Sequence, residues 1–209
     1  MNSVFEEAFK TQAALLAGND QLIQKLWNEI RDSYSTSGRH YHNLAHLNNL
    51  LTELLPLKDK IHDWRILVFS IAYHDIVYNT LKHDNEEKSA EVARDRLAKL
   101  STTPLQRDKC ALQIMATKGH DVSDDPDTNL FTDADLAILG YDPDRYDQYT
   151  KGIRKEYQLY PALIYKPGRQ KVLQHFLRMN HIYKTNFFRS KYEEQARNNI
   201  LRELKDLSC

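Results

Sequence analysis

Neither sign of charge prevails in this sequence: 29 Lys and Arg face 29 Asp and Glu, so the formal net charge is zero. Without a basic excess, non-specific binding to nucleic acid or to an anionic membrane has no electrostatic driving force. Glycine and proline are scarce, six of each in 209 residues, which is few for an all-β protein or a glycine-rich nucleotide fold. Long hydrophobic runs are missing; the longest nearly apolar stretch, Ile66 to Tyr73, is far too short to cross a bilayer. The first residues, MNSVFEEAFK, carry acids early and lack an apolar signal core, so export is not expected and a cytoplasmic location is. Cysteine is scarce too: Cys110 and Cys209 make neither a CxxC pair nor a disulfide framework, which fits a reduced compartment. What remains is a globular balance, 41% hydrophobic and 28% charged, in a chain long enough for one domain with a sizeable core. The informative excess is histidine: nine in all, five of them between His40 and His74.

Apolar spacing predicts helices almost throughout. Val4, Phe5, Phe9, Ala13 and Leu16 recur at helical intervals behind Ser3, a suitable N-cap, and Gly18-Asn19-Asp20 ends that run. Leu22, Ile23, Leu26, Trp27 and Ile30 draw a second amphipathic helix, and Ser33 to Arg39 reads as a loop. Helical spacing returns from Leu44 until Pro56, and Asp63 to Tyr78 is apolar on most sides, as a helix central to a bundle is. A helix capped by Asp84 or Asn85 reaches Leu100; another runs from Pro104 to about Lys118 with Leu105, Ala111, Leu112, Ile114 and Met115 inward. His120 to Thr128 reads as an acidic loop, Leu130 to Leu139 as a short helix stopped by Gly140. Asp144–Leu159, Gln170–Asn180 and Tyr192–Leu207 complete the set. Nothing alternates with period two, so the expected fold is all-α: a single compact bundle of about nine or ten helices.

Three polar clusters interrupt these apolar helices. His74-Asp75 closes the most hydrophobic one, where an ionisable pair is expensive unless something compensates it. A divalent metal does so, since imidazole and carboxylate are good ligands; the ordinary alternative is a pair that bonds neighbouring helix ends. In RHYHNLAH (39–46), His42 and His46 lie four apart and would share one helix face, as ligands or as a solvent-facing pair. In FTDADLAILG (131–140), Asp133 sits near a helix start and suits a capping role, whereas Asp135 lies deeper with no such excuse.

Taken together, the order His46, His74-Asp75, Asp135 in an all-α chain resembles the HD superfamily of metal-dependent phosphohydrolases, and in particular its bacterial group of predicted HD hydrolases. The segments carrying the resemblance are RHYHNLAHL (39–47), AYHDIVYN (72–79), DNEEKSA (84–90), ATKGH (116–120), FTDADLAILG (131–140), IRKEY (153–157) and KYEEQARNNILREL (191–204), which span almost the whole chain. The resemblance implies one HD-like helical domain over 1–209, with the metal-site core at about 39–140 and the helices of 144–207 packing on it. It implies His46, His74, Asp75 and Asp135 as ligands of a divalent ion (Mn, Mg, Fe, Co, Ni or Zn), with Asp133 orienting a ligand or capping a helix. His42 would face the cavity or support a ligand. His120 would add a ligand or a phosphate contact, or else be an ordinary loop histidine.

One departure from the family matters. HD enzymes that hydrolyse guanosine tetraphosphate carry a Glu-Asp pair after the HD helix; Tyr78 and Asn79 stand here, which argues against that activity. The nearest replacement acids are Glu86 and Glu87, as general base or simply as favourable charges at a helix N-terminus. Arg39, Lys118 and Arg154 are the candidate contacts for an anionic substrate, Arg154 being equally suited to a surface ion pair. The resemblance thus implies a hydrolase of a small phosphorylated molecule, such as a nucleotide. Neither nucleic acid nor membrane is expected as partner, and homo-oligomerisation is left open. The alternative is a non-catalytic helical module that binds metal or nucleotide for regulation.

Overall fold

The computed structural model describes residues 4–208, and within them it contains ten α-helices, two short 3-10 helices and no strand. The all-α expectation holds; the Ser3 cap and Cys209 lie outside the described residues. No described helix is long and apolar enough to cross a membrane. The contacts fall into two compact units, one up to Thr132 and one from Asp133 onward.

In the first unit the helices are α1 (Val4–Ala14), α2 (Asp20–Tyr34), α3 (Leu44–Leu54), α4 (Trp64–Tyr73), α5 (Asn85–Lys99), α6 (Pro104–Ala116) and the start of α7 (Pro126–Asp135). Helix α4 is central, and all its residues from Ile66 to Tyr73 are buried, packed by α1, α3, α5 and α6. Its start is heavily anchored. The Asp63 side chain accepts from the Ile66 N–H, and the wholly buried Asp127 accepts from the backbone N–H groups of His62 and Asp63. Lys109 compensates the Asp127 carboxylate at 2.7 Å. Phe9 packs edge-on against Phe69 and Tyr73, joining α1 to this core.

Several boundaries differ from expectation. Helix α4 stops at Tyr73 rather than Tyr78, because the chain turns at His74 and the next segment is tied to α5: Ser89 bonds both N–H and C=O of Val77, and Asn85 bonds both of Asn79. Pro56 does not end the helical path but opens a 3-10 turn, Leu55–Lys60, since proline suits a first turn. On α6 the inward face is Cys110, Ala111, Gln113 and Ile114; Leu105 and Leu112, expected inward, lie seven apart on the opposite face and are 79% and 66% exposed.

The second unit holds the end of α7, a 3-10 turn (Leu136–Gly140), α8 (Pro143–Glu156), α9 (Ala162–Arg178) and α10 (Asn186–Ser208). Asp133 is fully buried and accepts from the N–H groups of Lys184 and Thr185 and from the Thr185 hydroxyl, so it caps the entrance to α10. Asn199 donates to the carbonyls of Leu139 and Tyr141. Between them Gly140 meets α10 so closely that a Cβ would lie 2.7 Å from the Tyr192 carbonyl oxygen; only glycine fits there. A buried ion pair closes the unit: Arg169 bonds both carboxylate oxygens of Glu203 and the Tyr149 hydroxyl, and Tyr146 donates to Glu203.

Candidate metal centre

Two segments of the first unit meet at the C-terminal end of α4. One is the loop that enters α3; there Asn43 is the N-cap, its side chain accepting from the Ala45 N–H, so His46 lies in the first turn of the helix and His42 just ahead of it. The other is the turn that ends α4, where His74 and Asp75 stand side by side. The Tyr34 hydroxyl, at the end of α2, accepts the Asp75 N–H and fixes that turn.

His46, His74 and Asp75 converge: one ligand atom from each lies within 4.8 Å of the others. The two Nε2 atoms are 3.2 Å apart, and Asp75 Oδ2 is 3.1 Å from His74 Nε2. His46 and His74 are almost inaccessible, at 4% and 1% exposure, and Phe131 packs edge-on against the His74 ring. His74 Nδ1 lies 2.9 Å from the Ile71 carbonyl oxygen. A carbonyl only accepts, so the neutral ring carries its proton on Nδ1 and presents a lone pair at Nε2. His46 Nε2 and Asp75 Oδ2 thus both approach a ring nitrogen with a single lone pair, a crowding of acceptor atoms that a further proton or a metal ion between them would relieve.

The donor set fits a divalent transition metal: two imidazole nitrogens and one carboxylate oxygen, with the donors spaced like neighbouring ligands bound at about 2.0–2.2 Å. The His74–Ile71 hydrogen bond is the kind that orients a ligating imidazole. Burial opposes ionisation of Asp75, but when the imidazoles of His74, His42 and His46 are protonated, their positive charge and the His74 hydrogen bond outweigh it and hold the carboxyl well below its usual range. His42 lies outside the helix, so it does not share a helix face with His46, yet its ring is 5.7 Å from that of His46 and its Nε2 is 3.9 Å from Asp75 Oδ2. Tyr41 and Tyr78 flank the His42 ring at 4.9 and 4.4 Å.

The other expected residues stand as follows. Asp135 belongs to the second unit and is half-buried at the end of α7, where its charge helps push up the Tyr149 hydroxyl, after burial itself. Glu86 and Glu87 occupy the first turn of α5, as expected; Glu87 pairs with Lys118, which also donates to the His83 carbonyl. Lys118 therefore ties the segment after Asp75 to the end of α6. His120 follows α6 with a left-handed backbone (φ 53°). Arg154 donates to the Tyr157 and Tyr160 carbonyls and stacks on Tyr165, finishing the end of α8. Arg39 donates to the carbonyls of His42 and Ile76. Sequence reasoning missed Tyr34 and Ile71, whose roles depend on a hydroxyl and a carbonyl meeting residues distant or unremarkable in sequence.

No family model, curated protein or solved structure matches the chain.

Proposed function

We propose that the protein is a metal-dependent phosphohydrolase acting on a small phosphorylated molecule, such as a nucleotide, in the cytoplasm. The observation that carries this reading is the convergence of His46, His74 and Asp75, with the His74 proton committed to the Ile71 carbonyl. His46, His74 and Asp75 are the ligands available in the first unit; the resemblance gives Asp135 as the fourth. A bound divalent ion would lower the pKa of water and offset charge that develops on a phosphoryl group. The chain itself supplies orientation and exclusion of water: His74 is held by Ile71 and Phe131, and Asp75 by Tyr34. His42 Nε2 stands 3.9 Å from Asp75 Oδ2, close enough for a protonated His42 to offset the carboxylate charge.

A second reading, a non-catalytic metal- or nucleotide-binding module, is favoured by one observation. Tyr78 and Asn79 replace the acidic pair, and the nearby Glu87 is paired with Lys118. Metal content by mass spectrometry, together with turnover of chromogenic phosphomonoesters, phosphodiesters and a nucleotide panel with Mn, Mg, Co, Ni or Fe, separates the two. The enzyme reading expects one or more panel members to turn over only with metal. Full metal occupancy without turnover of any member would select the module, and absence of metal uptake would defeat the enzyme reading and the metal-binding form of the module.

A further inference from the structure

Arg39, a candidate phosphate contact by sequence, spends two of its N–H groups within the chain. Its guanidinium lies between two aromatic rings, 4.6 Å from the centroid of Tyr34 and 5.3 Å from that of Tyr78. Nη1 donates to the His42 carbonyl and Nη2 to the Ile76 carbonyl, each at 3.1 Å. These carbonyls belong to two different segments. One leads into His46; the other follows directly on His74 and Asp75. The layering continues past Arg39: Tyr78 meets the His42 ring at 4.4 Å, and His42 meets Tyr41, which also packs on His46 at 4.9 Å. Tyr34 adds a separate tie, accepting the Asp75 N–H at 3.1 Å.

We propose that Arg39 is a positioning residue for the metal centre: its guanidinium clamps the His42–His46 segment to the His74–Ile76 turn and so sets the affinity for a divalent ion. This rests on the metal reading above. The chemistry is specific to guanidinium, whose flat face stacks on tyrosine while its edge donates in two fixed directions. A lysine ammonium keeps the charge and one hydrogen bond but neither the flat face nor the fork. A loop arginine that only added stability would lower the melting point without moving ion affinity more than any other substitution of equal cost.

The test is calorimetric titration of Mn2+ into the metal-stripped full-length protein, with the apo melting temperature measured alongside. Wild type should bind and His46→Ala should not. Arg39→Lys and Arg39→Ala should bind roughly 10- to 100-fold more weakly, the usual loss when a residue that orients ligands is removed. Millimolar guanidinium ion should restore part of the affinity of Arg39→Ala. If neither Arg39 variant folds, Tyr78→Leu removes one face of the clamp while leaving both Arg39 hydrogen bonds, and it should still weaken binding severalfold. Wild-type affinity in Arg39→Lys, or in Tyr78→Leu where that is the folded variant, overturns the clamp and leaves the metal reading intact. A wild type that takes up no ion overturns the metal reading, and the clamp with it.

Discussion

The two units each bury charge, and they do so in opposite ways. In the second, Arg169 meets Glu203 through two parallel hydrogen bonds and donates a third to the Tyr149 hydroxyl, while Tyr146 donates to Glu203. Each of these contacts sets a donor against an acceptor, and the Arg169–Glu203 pair sets a cation against an anion. In the first, His46, His74 and Asp75 bring acceptor atoms together, and the nearest fixed proton on His74 points away toward Ile71. Burial is comparable, so burial does not distinguish structure from site. What distinguishes them is that donors face acceptors in the second unit, whereas ligand atoms face one another in the first.

The largest expected effect breaks the first side of this comparison. Asp75→Ala leaves the two imidazoles without the carboxylate, so bound metal and metal-dependent turnover should both be lost, as read by mass spectrometry and the substrate panel. Full metal content in this variant would remove Asp75 from the ligand set. Asp135→Ala in the same assay tests the fourth ligand that the resemblance implies.

Next in size is the second side. Arg169→Met leaves Glu203 buried and uncompensated, which should cost about 3–5 kcal/mol in denaturant unfolding while the metal stoichiometry stays as in wild type. A cost below about 1 kcal/mol would show that the pair is not the closed unit described here.

Smaller effects are expected at the Glu87–Lys118 pair. If it only staples the segment after Asp75, Glu87→Ala and Lys118→Met should retain their metal and change turnover alike, by less than about tenfold. A drop of about 10²–10⁴-fold in Glu87→Ala alone would instead identify Glu87 as the proton-handling acid.

The smallest effect is a pH dependence remote from the metal. Burial pushes the Cys110 thiol up to about 12, against which the Ser70 hydroxyl bond works only weakly. Keeping this thiol neutral contributes stability that is fully present below the unfolded thiol's pKa, near 9, and is lost as pH rises from there toward 12. In a Cys209→Ser background, native protein at pH 8 should react with a thiol reagent far more slowly than unfolded protein. Rapid native labelling would contradict the buried position.

How far the sequence carried is clear from individual elements. The helices α2, α3 and α5 begin and end within a residue or two of where their apolar spacing and caps put them. Helix α9 was expected from Gln170 but starts at Ala162, with Pro167 inside it. The carbonyl that Pro167 leaves unpaired belongs to Leu163, an exposed residue, so water can take the place of the missing N–H and the helix passes through. For the site, the polar clusters drew attention to these segments and the resemblance gave His46, His74, Asp75 and Asp135 as ligands; the first three converge in the first unit. The sequence did not reveal that Arg39 and Lys118 donate to the carbonyls of Ile76 and His83, because those segments lie more than thirty residues away in sequence and no local pattern encodes their approach; Arg154, by contrast, donates to the local carbonyls of Tyr157 and Tyr160.

The anchoring of α4 by Asp127 has a mechanical consequence. The carboxylate grips the backbone at His62 and Asp63, while His74 sits just past the other end of a ten-residue helix, a rod roughly 15 Å long. A helix transmits its register along its axis: a slip of one residue at the anchored end would turn the imidazole by about 100° and shift it by about 1.5 Å. Asp127 therefore acts as the zero mark of a ruler. It fixes where His74 is read off, although it contributes no atom to the place where the reading is taken.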